Sequence, residues 1–359
     1  MLKVLLSRSD GTTDIAQLCQ TINWSGDWQQ CARSLEVELI YSPTDKIVPV
    51  AQIDLGNGIT LMQDNRTLFM GFVVSLSKST NSSTISVKCF DFGFYLKRNK
   101  ATYQFKGQSP EAITRRVCSD FGIKVGTLAT GGIAITRNFI GCTLYDIIMT
   151  AYTLAAEQNG KKYICVFRGD QLCVQEKKVT DETLVIEGGS NLMDASTTNS
   201  IENMVNQVVI YDKNDRLIRT LKDDSAVKLY GVMQEYLKQS GEESVAGKAE
   251  KLLQDNGVAQ KVTVNSLGNV ANVTGGTVVV REPHTGLYGL FYIDGDAHTW
   301  KNGQYYNKLT LNFKSMMDEK EVGSLPNKTG SKTKSSTKTE TTTAGSWAYK
   351  YNPDGTVRQ

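Results

Sequence analysis

Apolar and polar residues alternate with a period of two through much of this chain. Arg33-Ser34-Leu35-Glu36-Val37-Glu38-Leu39-Ile40 is one such run, and Leu309-Thr310-Leu311-Asn312-Phe313 is another. Successive side chains on a strand point to opposite faces, so this alternation turns one face to a core and the other outward. Gln52–Leu55, Ile59–Met62 and Thr67–Val74 add short strands separated by Gly56-Asn57-Gly58 and Asp64-Asn65-Arg66 turns. Gly71 inside the last run is the mark of a bulge or a barrel bend. Near the other end, Gly286–Trp300 and Tyr305–Phe313 flank Lys301-Asn302-Gly303-Gln304. Asn-Gly between two β-rich runs is a strong hairpin signal. Leu311 and Phe69 are expected in the core, while Trp24, Trp28 and Tyr305 are candidates either for an exposed aromatic surface or for core packing.

Helical spacing interrupts this pattern three times. Ser109-Pro110-Glu111 combines a hydroxyl cap, a first-turn proline and an early acid. Ile113, Val117 and Phe121 then share a face, and Gly122 can end the helix in the left-handed conformation. A second helix is predicted from about Thr143 to Gln158, with Leu144, Ile147, Ile148, Ala151, Leu154 and Ala155 inward and Asn159-Gly160 as its stop. A third runs from about Ser244 to Asn256, with Ala246, Ala249, Leu252 and Leu253 inward. Tyr163–Val174 reads as a hairpin about Gly169, which would let Cys165 and Cys173 face each other.

The resulting fold class is α+β and mainly β. Residues 1–100 read as a first β-barrel or a sandwich, and 101–187 as a mixed α/β middle domain. Residues 188–315 are expected to form a second barrel, with an α/β insertion at about 229–283 that contains the third helix. The last segment is 316–359, and from about Gly323 onward Ser, Thr, Lys and Gly predominate. Such a stretch buries too little apolar surface to offset its ordering entropy. It is expected to be a flexible linker, and the aromatic Trp347-Ala348-Tyr349-Lys350-Tyr351 near its end suggests a docking tail.

Composition narrows the function classes. The chain has 359 residues, enough for more than one core, and a net charge of +3. Its Lys and Arg are scattered outside the tail, which argues against specific nucleic-acid binding. No apolar run reaches the length of a membrane-spanning helix. The apolar run in Met1–Arg8 is short and soon broken by charge, so a strand and synthesis in the cytoplasm are expected rather than a signal peptide. Seven cysteines without a CxxC pair argue against a disulfide framework or zinc site.

Catalytic chemistry finds little support. His284 and His298 are the only histidines, and neither stands in a recognisable nucleophile–base spacing. Gly126-Thr127-Leu128-Ala129-Thr130-Gly131-Gly132 lacks the Lys-Ser/Thr pair of a phosphate loop. Asp223-Asp224, Glu242-Glu243 and the Asp294/Asp296 pair could be paired carboxylates. The first two pairs read better as solvated charge, and Gly295 leaves the third open between a shared strand face and a bend. No catalytic, metal or cofactor residue is assigned, and the expectation is a non-enzyme.

Several motifs carry a resemblance. Asn23-Trp24-Ser25-Gly26-Asp27 with Ala32–Leu35, then Leu68-Phe69-Met70-Gly71-Phe72-Val73, then Ser200–Val208, Lys228-Leu229-Tyr230-Gly231, Ala249–Leu253, Gly289–Ile293 and Ala297-His298-Thr299 follow one another in order. Over about residues 1–315 this order resembles the baseplate hub proteins of contractile phage tails, the prophage-type hubs in particular. The resemblance implies two tail-tube-like barrels per chain and a homotrimer. Six barrels would then adapt a hexameric tail tube to a trimeric central spike. The implied partners are the tube or tube-initiator protein, the spike, and other baseplate and tape-measure proteins, with final residence in the particle's baseplate. The alternative is a peptidoglycan-binding or peptidoglycan-degrading tail module, suggested by the helix after Ser109-Pro110-Glu111.

Overall fold

The computed structural model describes residues 1–326 except 43–46, 48, 180–183 and 240–244. The first stretch is almost all strand: β1 (Leu2–Arg8), β2 (Gly11–Asp14), β3 (Cys19–Asp27), β4 (Ser34–Ile40), β5 (Gly58–Gln63), β6 (Arg66–Lys78) and β7 (Thr84–Asp91). The middle comprises α1 (Gly93–Arg98), β8 (Lys100–Gln108), α2 (Pro110–Asp120), β9 (Lys124–Leu128), β10 (Ile135–Thr143), α3 (Leu144–Asn159), β11 (Tyr163–Arg168) and β12 (Gln171–Glu176). Then come β13 (Leu184–Glu187), β14 (Leu192–Ser200), β15 (Gln207–Tyr211), β16 (Leu217–Lys222), α4 (Asp224–Tyr230), β17 (Gln234–Lys238) and α5 (Ala246–Asp255). β18 (Ala259–Leu267), β19 (Thr277–Glu282), β20 (Leu287–Lys301) and β21 (Gln304–Asn312) complete the order. The chain is mainly β and its pairings are mostly antiparallel, as the alternation predicts.

The two β-rich ends do not form separate closed barrels among the described residues. They join into one thirteen-stranded sheet ordered β14-β18-β21-β20-β3-β4-β7-β6-β5-β1-β2, with β19 also on β20 and β13 on β19. The join is the antiparallel pairing of β3 with β20, from Gly295↔Asp27 to Lys301↔Thr21. A strand edge can be used once. The edges of β3 and of the second half of β20 face each other, so neither is left to close its own half. Each half still has its own core. Val4, Leu6, Ile22, Leu35, Val37, Phe69 and Val87 fill the first, and Val262, Val264, Val280, Phe291, Leu309 and Leu311 the second.

Local signals are met at several ends. Ser109 and Thr143 cap α2 and α3 by accepting from Ala112 N and Asp146 N. Gly160 closes α3 at φ +70°. The β20–β21 turn has Asn302 and Gly303 at φ +52° and +74°, the conformation a two-residue hairpin of this kind requires. Gly71 is not a bulge: it sits in regular pairs with Ile59 and Asp91. Its missing side chain admits the Phe90 carbonyl and the Phe69 ring instead.

Other expectations need correction. The insertion is not 229–283. β15–β17 form a separate small sheet on which α5 packs, within residues 201–258, whereas β18 and β19 belong to the large sheet. β13, placed in the middle domain by the sequence, also joins the large sheet. The β11–β12 hairpin forms, but its two-residue turn pairs Cys165 with Val174 and Val166 with Cys173. The two thiols therefore point to opposite faces, and the Cys165 sulfur lies 4.0 Å from that of Cys31. Of the two places open to Trp24, the core is the one it takes, at 4% exposed.

The stretch after 315 does not begin as free linker. Met317 is buried in the middle core. Asp318 accepts from the Tyr145 hydroxyl at 2.8 Å. Lys320 N and Val322 N donate to Thr153 Oγ1 and Thr150 Oγ1 on α3. Ser324 and Asn138 exchange backbone hydrogen bonds. The expected docking tail lies outside the described residues, as does Glu242-Glu243.

Candidate functional site at the seam of the sheet

The seam between the two halves carries a buried polar cluster, and β20 builds it. Leu287–Tyr292 pairs with β19, and Gly295–Lys301 pairs with β3. The switch falls at a bulge: Ile293 pairs with Leu311 and Gly295 with Thr310, leaving Asp294 extra. One extra residue changes which parity of side chain faces inward. Before the bulge Phe291 and Ile293 are buried; after it Asp296 and His298 are. Two polar side chains thus occupy core positions and must be hydrogen-bonded there.

Both acids find partners. Arg33, in the β3–β4 connection, reaches Asp296 with both terminal nitrogens, one at 3.0 Å to Oδ1. Thr274 donates its N–H and hydroxyl to the same Oδ1 at 2.7 and 2.6 Å. His298 Nε2 lies 3.1 Å from Asp296 Oδ2. Burial alone would raise the Asp296 carboxyl, but Arg33 and His298 outweigh it and hold the group well below the usual carboxylate range. Asp294 instead pairs with Lys177 at 3.3 Å, and Lys177 also donates to Met316 O at 2.8 Å. Burial raises Asp294 and lowers Lys177, each opposed by the other's charge.

His298 is held on every side. Nε2 faces two acceptors, Asp296 Oδ2 and Asn272 O at 3.1 Å. Nδ1 faces the Tyr305 hydroxyl at 2.7 Å and Asn307 Nδ2 at 2.8 Å. Asn307 Oδ1 accepts from Asn269 N and Asn272 Nδ2, which fixes the amide's orientation. The pattern puts a proton on Nε2 and makes Nδ1 the acceptor. Trp24 packs on the imidazole at 4.6 Å between ring centres, and the Arg33 guanidinium lies 4.1 Å from the Trp24 ring centre.

A histidine beside an aspartate superficially matches a catalytic dyad. A dyad needs a nucleophile and room for a substrate. Here the His298 and Asp296 side chains are fully enclosed, and Nδ1 meets Tyr305 and Asn307. Chemically the arrangement can do one thing well: clamp β20 to β3 and to the Asn269–Thr274 connection.

The other candidates read from the sequence are scattered. His284 is exposed in a turn, its N–H donating to Glu282. Asp223 caps α4, and Asp224 pairs with Lys222 on the surface. Gly126 lies in β9, and Gly131 N donates to Glu111. No group of three or more metal-binding side chains occurs among the described residues. Sequence reasoning missed Arg33, Lys177 and Thr274. Asp-Gly-Asp inside an apolar strand was the available signal, since acids at such positions demand buried partners.

Comparison with known proteins agrees with this layout. The curated protein XkdQ of the phage-like element PBSX of Bacillus subtilis (strain 168) is 24% identical over 311 residues, covering 84% of this chain and 94% of that one. The 43 kDa tail protein of prophage MuSo2 from Shewanella oneidensis superposes with a TM-score of 0.66 at 15% identity, covering 86% of this chain and 98% of that one. A tail protein from Neisseria meningitidis MC58 gives 0.63 at 16% identity, covering 86% and 96%. The fold is thus one used by phage tail proteins, in keeping with the resemblance read from the motifs. The model of the YQBQ-like family matches residues 22–312, seam included, and the chain belongs to that family.

Proposed function

We propose that this protein is a structural component of a phage-type tail baseplate, acting as the hub that adapts a hexameric tube to a trimeric spike. The observation that carries this reading is the seam. Two β halves with separate cores lie side by side in one continuous sheet, locked by the Arg33–Asp296–His298 cluster. Three such chains around an axis present six β halves, which meets sixfold symmetry on one side and threefold on the other. The buried clamp suits a part that transmits load, because a seam without it could slide or open. In this reading each β half plays the part of one tube-like domain, and residence is in the assembled tail. The relatives' printed names, a phage-like element protein and two tail proteins, support the setting.

The peptidoglycan reading gains nothing from the geometry. The helix that suggested it, α2, buries Ile113, Thr114 and Val117 in the middle core.

The test is imaging of assembled particles in which this chain carries an affinity label. Three copies at the junction of tube and spike are expected. Six copies, or label on the outer sheath, would overturn the assignment. Light scattering of the purified chain should give about three times 39.6 kDa, or a single 39.6 kDa if the trimer forms only with its neighbours, and a stable dimer argues against the hub.

A further inference from the structure

A cleft of about 360 Å³ opens where three distant stretches meet. The β5–β6 turn contributes Arg66, the β11–β12 hairpin Arg168 and Gln175, and the β18–β19 connection Thr274, with Trp24 and Arg33 also on its wall. Its charge is one-sided. No acidic residue is among those lining it. Arg33 is balanced by Asp296, but Arg66 forms no ion pair among the described residues, and Arg168 donates to the neutral Gln175 at 3.2 Å. Two uncompensated arginines beside a wall without acids favour a ligand that brings negative charge. Leu68, Val166 and Phe167 supply apolar wall for an aliphatic stem.

We propose that this cleft at the meeting of the β5–β6 turn, the β11–β12 hairpin and the β18–β19 connection docks an acidic peptide segment of a partner protein. Its carboxylates meet Arg66 and Arg168, both exposed at the cleft. Arginine forks suit planar carboxylates. A nucleic-acid strand is a poorer fit, because it needs an extended basic track rather than two free charges in a small cleft. The inference does not depend on the hub assignment: it concerns the chemistry of one cleft in the isolated chain.

The experiment uses the full chain and a fluorescein-labelled peptide, Gly-Glu-Glu-Asp-Glu-Gly, read by anisotropy. R66E and R168E are expected to weaken binding about tenfold each, about 1.4 kcal/mol. K261E, a charge reversal at an exposed position on β18, should change it less than about twofold. In ¹⁵N-indole spectra, the Trp24 N–H signal, identified by its loss in W24F, should move on titration. Absence of binding overturns the proposal, as does equal weakening by all three reversals or a stationary Trp24 signal. Displacement by inorganic phosphate but not by sodium chloride of equal ionic strength would make this a small-anion site. Tighter binding of an oligothymidylate of matched charge would make it a nucleic-acid site. Either result also refutes the acidic-peptide assignment.

Discussion

Replacing Asp296 by asparagine tests the seam with the smallest change in shape. The carboxylate takes two donors from Arg33, two from Thr274 and one from His298. An amide keeps one acceptor oxygen. With that oxygen toward Thr274, its NH₂ group opposes Arg33 Nη2 and His298 Nε2, donor against donor. Breaking a buried pair by removing one charge costs about 3–5 kcal/mol, because the other charge stays buried. The Arg33 side chain is 17% exposed, so water can relieve part of that cost, and about 3 kcal/mol is the expected loss. For a chain of this size that lowers Tm by roughly 4 °C.

The sign with pH follows from the depressed Asp296 carboxyl. Its contribution is present above the unfolded value near 3.8 and is lost as pH falls below it. The difference between wild type and D296N should therefore be full at pH 7 and shrink in stronger acid. Guanidinium unfolding measures the cost. A cycle with R33M and the double variant should return a coupling of about 1–3 kcal/mol. Amide exchange should quicken at Ile22–Asp27 and Gly295–Lys301, the paired stretches, more than in the middle segment. A loss under about 1 kcal/mol, with exchange unchanged along β3 and β20, would refute the view that Asp296 organises the seam.

Three further outcomes follow from single sites. A Cβ at Gly71 would fall 2.2 Å from the Phe90 carbonyl oxygen, so G71A should cost about 1–3 kcal/mol in denaturant unfolding; a neutral result would mean β6 and β7 can part freely. Burial raises the Asp91 carboxyl to about 7 against the opposing backbone N–H groups of Arg33 and Gly93. Its share of stability is therefore full below about 3.8 and is lost as pH rises to about 7, a span worth up to roughly 4 kcal/mol. D91N should flatten that slope in thermal melts between these pH values, and an unchanged slope would exclude Asp91 as its source. M317A removes a side chain that fills the middle core and should cost about 2–4 kcal/mol, with exchange rising along α3. No effect would mean the 316–325 strap is not part of that fold.

Strands, helices and hairpins were legible because each is set by neighbours in sequence. The alternation in Ser34–Ile40, the Ser109 and Thr143 caps and the Asn302-Gly303 turn each carry their instruction within a few residues. What was hidden depends on partners far away. The β3–β20 pairing joins Asp27 to Gly295, and no local pattern distinguishes a strand that closes its own barrel from one that continues into another half. The strap was hidden for a related reason. Residues 318–322 look like solvated linker, yet buried threonine hydroxyls at 150 and 153 hold their backbone. The domain boundary at 316 therefore falls too early, whereas the change of composition near Gly323 lies close to the end of the strap.

The candidate site turns on one residue of offset. Without Asp294 as an extra position, strict alternation from Phe291 and Ile293 would bring Gly295, Ala297 and Thr299 inward, an ordinary small-residue face. The bulge brings Asp296 and His298 in instead and places their partners on two other connections, Arg33 before β4 and Thr274 before β19. A buried carboxylate is costly unless several donors converge on it. Convergence is possible only when all three connections are in register at once. The cluster therefore contributes less as a source of net stability than as a condition on assembly: a slip of β3 against β20 would strand Asp296 among apolar neighbours. That is why Asp296, which with Asp294 resembled a catalytic pair in sequence, is better understood as the lock that joins the two half-sheets, while Asp294 pairs with Lys177.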